Sequence, residues 1–186
     1  MRKATPEDAA AVIPLISSAI GEIGYVLTGT QQQSAMLEAL ESFFRQKGNR
    51  LSHDHVYVLE RNGEIAGFAL AYHGQEIEAL DAPLKQHLRQ RGLSGDNIIP
   101  EAKADEYYLD SVAVHPAFQG QGVGTLLIRE FEQKALQLGH HKVLLIVDVD
   151  NIRAKALYER LGYKSDGIIE IGGRAYTRMT KQPERM

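Results

Sequence analysis

Val112-Ala113-Val114-His115-Pro116-Ala117-Phe118-Gln119-Gly120-Gln121-Gly122-Val123-Gly124-Thr125 joins an apolar strand to an amphipathic helix through a glycine-rich loop. Tyr107 to Val114 reads as the strand, and Pro116 ends it. A helix is predicted from about Gly124 to Leu138, with Leu127, Ile128, Phe131, Ala135 and Leu138 inward and Gly139 as its stop. The first N–H groups of such a helix have no intrahelical partner, and the helix dipole adds partial positive charge. The combination is an anion site, and phosphate is its common occupant. Spacing narrows the ligand. A Walker loop needs G-x-x-x-x-G-K-[ST], and no Lys follows Gly124. The dinucleotide fingerprint G-x-G-x-x-G, counted from Gly120 and Gly122, puts Thr125 where its last Gly should stand. What remains is Gln119-x-x-Gly122-x-Gly124.

Outward from this loop the pattern stays regular. Val143-Leu144-Leu145-Ile146-Val147 is a continuous apolar run, the mark of a strand buried on both faces. Asn151 caps a helix whose Ala154, Leu157, Tyr158 and Leu161 fall at i, i+3, i+4 and i+7, and Gly162 ends it. Two closing strands, about Lys164 to Ile171 and Arg174 to Thr180, flank Gly172-Gly173 as a hairpin turn. Upstream, Thr5-Pro6-Glu7-Asp8 has the form of a helix start, with Thr5 as N-cap and Pro6 at the first helical position. Gly21 to Thr30 reads as a turn, and about Gln31 to Lys47 as a second helix. His55 to Glu60 and Ile65 to Tyr72 read as a hairpin through Asn62-Gly63, the preferred type I′ pair. Residues 73–105 are expected to form an insertion or lid near the site, with a helix over Glu78 to Arg91 and a loop from Gly92 to Asp105. The first strand looks clipped, since the helix cap lies so near the start. The element order predicts one α/β (α+β) domain: a single mixed, mostly antiparallel sheet with helices on both faces.

Composition sets the outer limits. A chain of 186 residues, 44% hydrophobic and 24% charged, has ordinary globular values. Its net charge of −3 speaks against a nucleic-acid footprint over the whole domain. There is no cysteine, which excludes disulfides, thiolate catalysis and cysteine metal sites. His53-Asp54-His55 lacks an evident third ligand and reads as a solvated strand start, so no metal site is expected. No secretory signal and no membrane-spanning run is visible, so the expected location is cytoplasmic, with no membrane partner.

Gln119-x-x-Gly122-x-Gly124, preceded by Ser111-Val112-Ala113-Val114-His115-Pro116, resembles motif A of the GNAT N-acetyltransferase superfamily. Asn151-Ile152-Arg153-Ala154-Lys155-Ala156-Leu157-Tyr158 and the following residues to Tyr163 resemble its motif B, at the matching distance. The opening residues Arg2 to Asp8 are similar to the usual start of that fold. The resemblance covers most of the chain and is weakest over 73–105. It implies binding of acetyl-CoA and transfer of its acetyl group to an amine, either a small molecule or a peptide. The backbone around Gln119, Gly120, Gln121, Gly122, Val123, Gly124 and Thr125 would hold the pyrophosphate. The strand edge at Val112, Ala113 and Val114 would pair with the pantetheine amides. Asn151 and Ala154 would line the pantetheine from the helix.

The implied reaction is attack of a neutral amine on a thioester. An alkyl amine is mostly protonated at neutral pH, so a group must take its proton, and the departing thiolate benefits from a donor. Tyr158 matches the family's acid position in motif B and sits on the inward stripe. Period-two alternation puts Glu106, Tyr108, Asp110 and Val112 on one face of the strand. Tyr108 stands where many members of the family carry a carboxylate, so Asp110 and Glu106 on the same face are the candidate bases, with Asp110 slightly favoured. Asp148 and Asp150 add to an electronegative acceptor cleft. Alternatives are an acyl-CoA sensor without turnover and an enzyme using a longer acyl-CoA. The closing hairpin is available for pairing across a homodimer.

Overall fold

The computed structural model describes residues 1–185. Its strands are β1 (Arg2–Lys3), β2 (Val56–Arg61), β3 (Glu64–His73), β4 (Tyr107–Val114), β5 (Val143–Asp148), β6 (Lys164–Ile171) and β7 (Arg174–Lys181). Its helices are α1 (Ala9–Ile20), α2 (Ile23–Thr28), α3 (Gln33–Arg45), α4 (Ile77–Gln90), α5 (Val123–Gln137) and α6 (Ile152–Arg160). The strands form one sheet in the order β1-β2-β3-β4-β5-β7-β6. Only β4 and β5 run parallel; every other neighbouring pair is antiparallel. The mixed, mostly antiparallel sheet expected from the element order is the one observed. Among the described residues no helix is long and apolar enough to cross a membrane.

Local chemistry explains the start of the chain and its first hairpin. The Asp8 carboxylate accepts the Thr5 N–H at 2.7 Å, and Arg2 grips the same carboxylate at 2.7 and 2.8 Å. Asn62 and Gly63 take φ values of 53° and 80°, as a type I′ turn requires. Two local expectations differ from what is observed. Gly21 to Thr30 contains α2, a helix too short for periodicity to reveal, which buries Leu27. His53 is buried rather than solvated, with its Nδ1 2.8 Å from the Phe44 carbonyl.

The sheet separates two apolar layers. Phe68, Leu70 and Tyr72 of β3 face α1, α3 and α4, with Val12, Ile16, Leu40, Phe44 and Leu84. Ala69 and Ala71 face α5, with Ile128 and Phe131. Strand periodicity of two produces this division. The stretch 73–105 packs into the first layer: Ile77, Leu80, Leu84, Leu88 and Ile98 are all core residues. The segment expected to form an insertion or lid near the site supplies these core residues, and its last loop carries the buried Glu101.

Alternation breaks on β4. Leu70 pairs with Ser111 and Ala71 with Leu109, which leaves Asp110 as the extra residue of a β-bulge. Ser111 and Ala113 therefore face the α1 side and Val112 and Val114 the α5 side. Val112 does not share a face with Tyr108 and Asp110, contrary to the period-two expectation. The bulge shifts the phase by one residue.

Glu106, just before β4, is fully buried and ties three segments together. Both its oxygens accept Arg178 of β7 at 2.8 Å, Lys142 lies 3.0 Å away, and the Lys103 N–H donates at 2.7 Å. Burial alone would raise this carboxyl. Arg178, the Lys103 N–H and Lys142 outweigh it and hold the group below the usual carboxylate range. A depressed value means stability that is present above the unfolded pKa, near ~4.3, and lost as the pH falls through the folded value. Glu106→Gln should therefore lower stability by about 3 kcal/mol at neutral pH, because it leaves Arg178 without its buried counter-charge. The gap to the native chain should close on acidification below about pH 4. Urea unfolding of both proteins across that range checks this, and a gap independent of pH would refute the assignment.

Candidate active site

The parallel pairing of β4 with β5 lasts three residues, Tyr107 to Leu109 against Val143 to Leu145. Beyond it β4 stays on β3 as far as Val114, and β5 stays on β7 as far as Asp148. The two strands part, and the β5-facing edge of Asp110 to Val114 has no strand partner. A cleft of about 510 Å³ fills the opening. Its walls come from both sides of the sheet. Val112, Gln119, Asn151, Ala154 and Tyr158 stand on the α5–α6 side. Ser18 to Ile23, Arg50, Glu101, Tyr108 and Asp110 stand on the α1–α4 side.

The glycine loop lies at one end. Gln119 reaches back to the Val114 carbonyl, donating from Nε2 at 3.4 Å, and lines the cleft. Gly120 and Gly122 take φ values of 74° and 77°, open to glycine at no steric cost. The first intrahelical bond of α5 runs from Leu126 N–H to Gly122 C=O, so the N–H groups of Val123, Gly124 and Thr125 have no helical acceptor. Gly120 to Thr125 are not part of the cleft wall; they follow it as a rim, with Gly120 to Gly122 exposed, the Val123 side chain buried, and Gly124 and Thr125 half-buried. A Cβ on Gly124 would approach the Val114 side chain at 3.5 Å, between helix and strand.

Asn151 caps α6, its Oδ1 accepting the Ala154 N–H at 3.1 Å, which places both residues on the wall. One helical turn on, Tyr158 lines the same cleft and meets Tyr163 edge to face at 6.0 Å. Burial raises its hydroxyl, so it stays protonated at neutral pH.

The acidic candidates separate. Glu106 is not on the cleft wall, and Arg178 and Lys142 occupy its carboxylate. Asp110 is on the wall, but its Oδ2 accepts Arg50 Nε at 3.0 Å, Arg50 Nη2 at 2.6 Å and the Tyr72 hydroxyl. Oδ1 makes none of these bonds. Asp148 lines the cleft and holds the Asp150 N–H at 2.9 Å, whereas Asp150 is not on the wall.

Arg50 and Glu101 are wall residues that the sequence reading did not single out. Arg50, in the loop before β2, is buried; besides Asp110 it reaches Glu101 Oε1 at 3.0 Å and Asp81 Oδ1 at 3.3 Å. Glu101, in the loop before β4, accepts the Tyr108 hydroxyl on its other oxygen. Burial pushes the Glu101 carboxyl up, Arg50 opposes this, and Asp110 adds to it. The sequence signal for Glu101 was slight: Ile98-Ile99-Pro100 just before it is an apolar piece of loop, of which Ile98 is buried.

Solved structures share the fold that carries this cleft. A crystal structure of an acetyltransferase superposes with a TM-score of 0.77 at 30% identity, over 98% of this chain and 98% of that one. An N-acetyltransferase from Staphylococcus aureus Mu50 superposes with a TM-score of 0.79 at 25% identity, over 97% and 98% of the two chains. The family model described as acetyltransferase (GNAT) family matches residues 26–163, a span that holds the glycine loop, the open strand pair and the α6 tyrosine together. On that match the chain belongs to the GNAT acetyltransferase family.

Proposed function

We propose that the protein moves an acetyl group from acetyl-CoA to a primary amine by direct attack within the β4–β5 cleft. The observation that carries this reading is the cleft itself, which runs through the sheet and joins an anion-binding rim to a buried acidic wall. Two reactants can meet there from opposite sides. Acetyl-CoA fits the donor side. The free N–H groups from Gly120 to Thr125 suit its pyrophosphate. The unpaired edge at Val112, Ala113 and Val114 suits an extended chain of amides. Asn151 and Ala154 flank that edge. Acetyl-CoA supplies an activated acyl group, and the residues of this chain hold it and move protons.

An ammonium loses two protons on becoming an amide. One must leave before attack, and the acidic wall of Asp110 and Glu101 is placed to receive it. The other can pass to the leaving sulfur. Tyr158, neutral at physiological pH and with no hydrogen bond to another described residue, is the donor on the opposite side. Backbone N–H groups on the free β4 edge are available to the carbonyl oxygen as it gains charge.

Calorimetric titration with acetyl-CoA should show binding at one site per chain. Gly122→Val and Gly124→Val should each weaken it at least about tenfold, the first through backbone strain at positive φ and the second by filling the gap to Val114. Absence of binding to the native chain would overturn the reading. Release of free CoA thiol against a panel of amines tests turnover, and a chain without cysteine adds no background to that assay. Binding without release across the panel would favour a sensor. Once an acceptor is found, Tyr158→Phe should cut kcat by about a hundredfold or more with little change in acetyl-CoA affinity. An unchanged kcat would remove Tyr158 from the chemistry.

A further inference from the structure

A second cavity, of about 950 Å³, lies apart from the cleft. It is lined by α5, the end of α6, the start of β6, the end of β7 and the tail as far as Arg185. The two cavities share no described lining residue and use opposite ends of the same elements. On β7 the cleft takes Arg174 and Tyr176, and the cavity takes Thr180 and Lys181. On α6 the cleft takes Ala154 and Tyr158, and the cavity takes Arg160. Neither the glycine loop nor the free β4 edge is part of it.

Its charge is one-sided. Arg129, Lys142, Arg160, Lys164, Lys181 and Arg185 line it against two acidic side chains, in a chain whose net charge is −3. Two of these cations already have partners. Lys181 Nζ donates to the buried Glu132 at 2.7 Å and lies over the Tyr163 ring, and Lys142 meets Asp105 and Glu106 at 3.2 and 3.0 Å. Arg129, Arg160, Lys164 and Arg185 form no ion pair with another described residue. They come from four segments of the chain and converge on one concavity. A cleft lined by one sign of charge focuses its field on an entering ion of the other sign. Side-chain bonds hold the walls together. Gln133 Nε2 donates to the Glu184 carbonyl at 2.9 Å, which seats the tail on α5 and brings Arg185 to the cavity. Lys181, held by Glu132, ties the end of β7 to the same helix, and the register sets Lys164 opposite Thr180, next to Lys181.

The lining also decides which anion fits. Among the described lining residues Leu161 is the one large apolar side chain, and none is aromatic. Single-stranded nucleic acid binds by stacking its bases on aromatic rings, and that platform is missing. An extended acidic peptide turns alternate side chains away, so its charges on one side stand ~6.6 Å apart. A chain of linked phosphates gathers its charges in one compact group. Guanidinium forks such as those of Arg129, Arg160 and Arg185 match phosphate oxygens two at a time. We propose that this cavity binds a linked-phosphate anion, either an inorganic oligophosphate or the triphosphate of a nucleotide, through Arg129, Arg160, Lys164 and Arg185. The site is separate from the one assigned to acetyl-CoA and does not depend on the acetyl-transfer reading. A bound anion would bridge the tail, α5, α6 and β6, and so would stabilise the folded chain.

The test is an NMR titration of the ¹⁵N-labelled full chain with sodium tripolyphosphate, with sodium sulfate at matched ionic strength as control. Amide shifts should saturate as for one site and centre on Arg160, Gly162, Lys164, Lys181 and Arg185. Sulfate should not reproduce them. Lys164→Gln with Arg185→Gln removes two exposed cations and leaves the core untouched. This double variant should weaken tripolyphosphate at least about tenfold while acetyl-CoA affinity persists. ATP without magnesium separates the two sources. Affinity no higher than that of tripolyphosphate assigns the phosphate chain alone, and tighter binding with shifts at the same residues assigns a nucleotide. Shifts centred on Gly120 to Thr125, equal shifts with sulfate, or unchanged affinity in the double variant would each overturn the proposal. Tighter binding of hexaglutamate or of a single-stranded hexanucleotide at these residues would overturn it too, because the partner would then be of another class. Failure of the native chain to bind acetyl-CoA would remove the transferase reading and leave this result standing.

Discussion

The pairing of β4 with β5 stops after three residues, and the arrangement of the site follows from what happens to β4 at that point. Asp110 is inserted there as an extra residue. A bulge bends its strand and increases the local twist, so it turns β4 away from a parallel neighbour. Asp110 is fixed by Arg50 and Tyr72, which come from a loop and from the adjacent strand. The bulge is thus anchored from one side of the sheet while the opening it creates is used from both. Without the anchor, β4 and β5 would have no reason to stop pairing, and the unpaired edge at Val112 to Val114 would vanish into a continuous sheet.

Two buried ion clusters lie a few residues apart and have opposite characters. Glu106 is one carboxylate with two cations and a backbone donor, so its charge is fully met. Arg50 is one cation with three carboxylates, so its cluster is over-supplied with negative charge. The first suits a permanent tie between β4, β7 and the loop before β4. The second keeps negative charge in excess, and its Asp81 Oδ2 is buried without a hydrogen-bond partner. This difference, rather than proximity in sequence, separates a structural carboxylate from a chemically available one.

The same contrast explains what could be read from the chain. The glycine loop, the capped α6 helix and the buried β5 run announce themselves because their signals are local: turn residues, a cap and periodicity over a few positions. The α5–α6 side of the cleft is built from those segments, and Gln119, Asn151, Ala154 and Tyr158 stand on its wall. The acidic side is not local. Arg50 meets Asp110 across sixty positions and Glu101 across fifty-one, and nothing near Arg50 marks it as buried. Glu106 looked like a base because strand alternation is all that a sequence displays there. Its neutralisation by Arg178 is a tertiary fact, seventy-two positions away. The bulge at Asp110 was equally hidden, since a single inserted residue leaves composition and alternation nearly unchanged.

The sheet also divides the proton traffic of the proposed reaction. Tyr72 and Tyr108, which hydrogen-bond the acidic cluster, belong to the layer against α1, α3 and α4. Tyr158 packs on the opposite layer, against α5. A proton taken from the entering ammonium and a proton given to the leaving sulfur are therefore handled on different faces, with the β4 edge between them. Had both groups stood on one face, the acidic wall would sit beside the departing thiolate and oppose its negative charge. Separation by a sheet lets one side favour a cation while the other shelters a neutral phenol, and the cleft beside Asp110 joins the two.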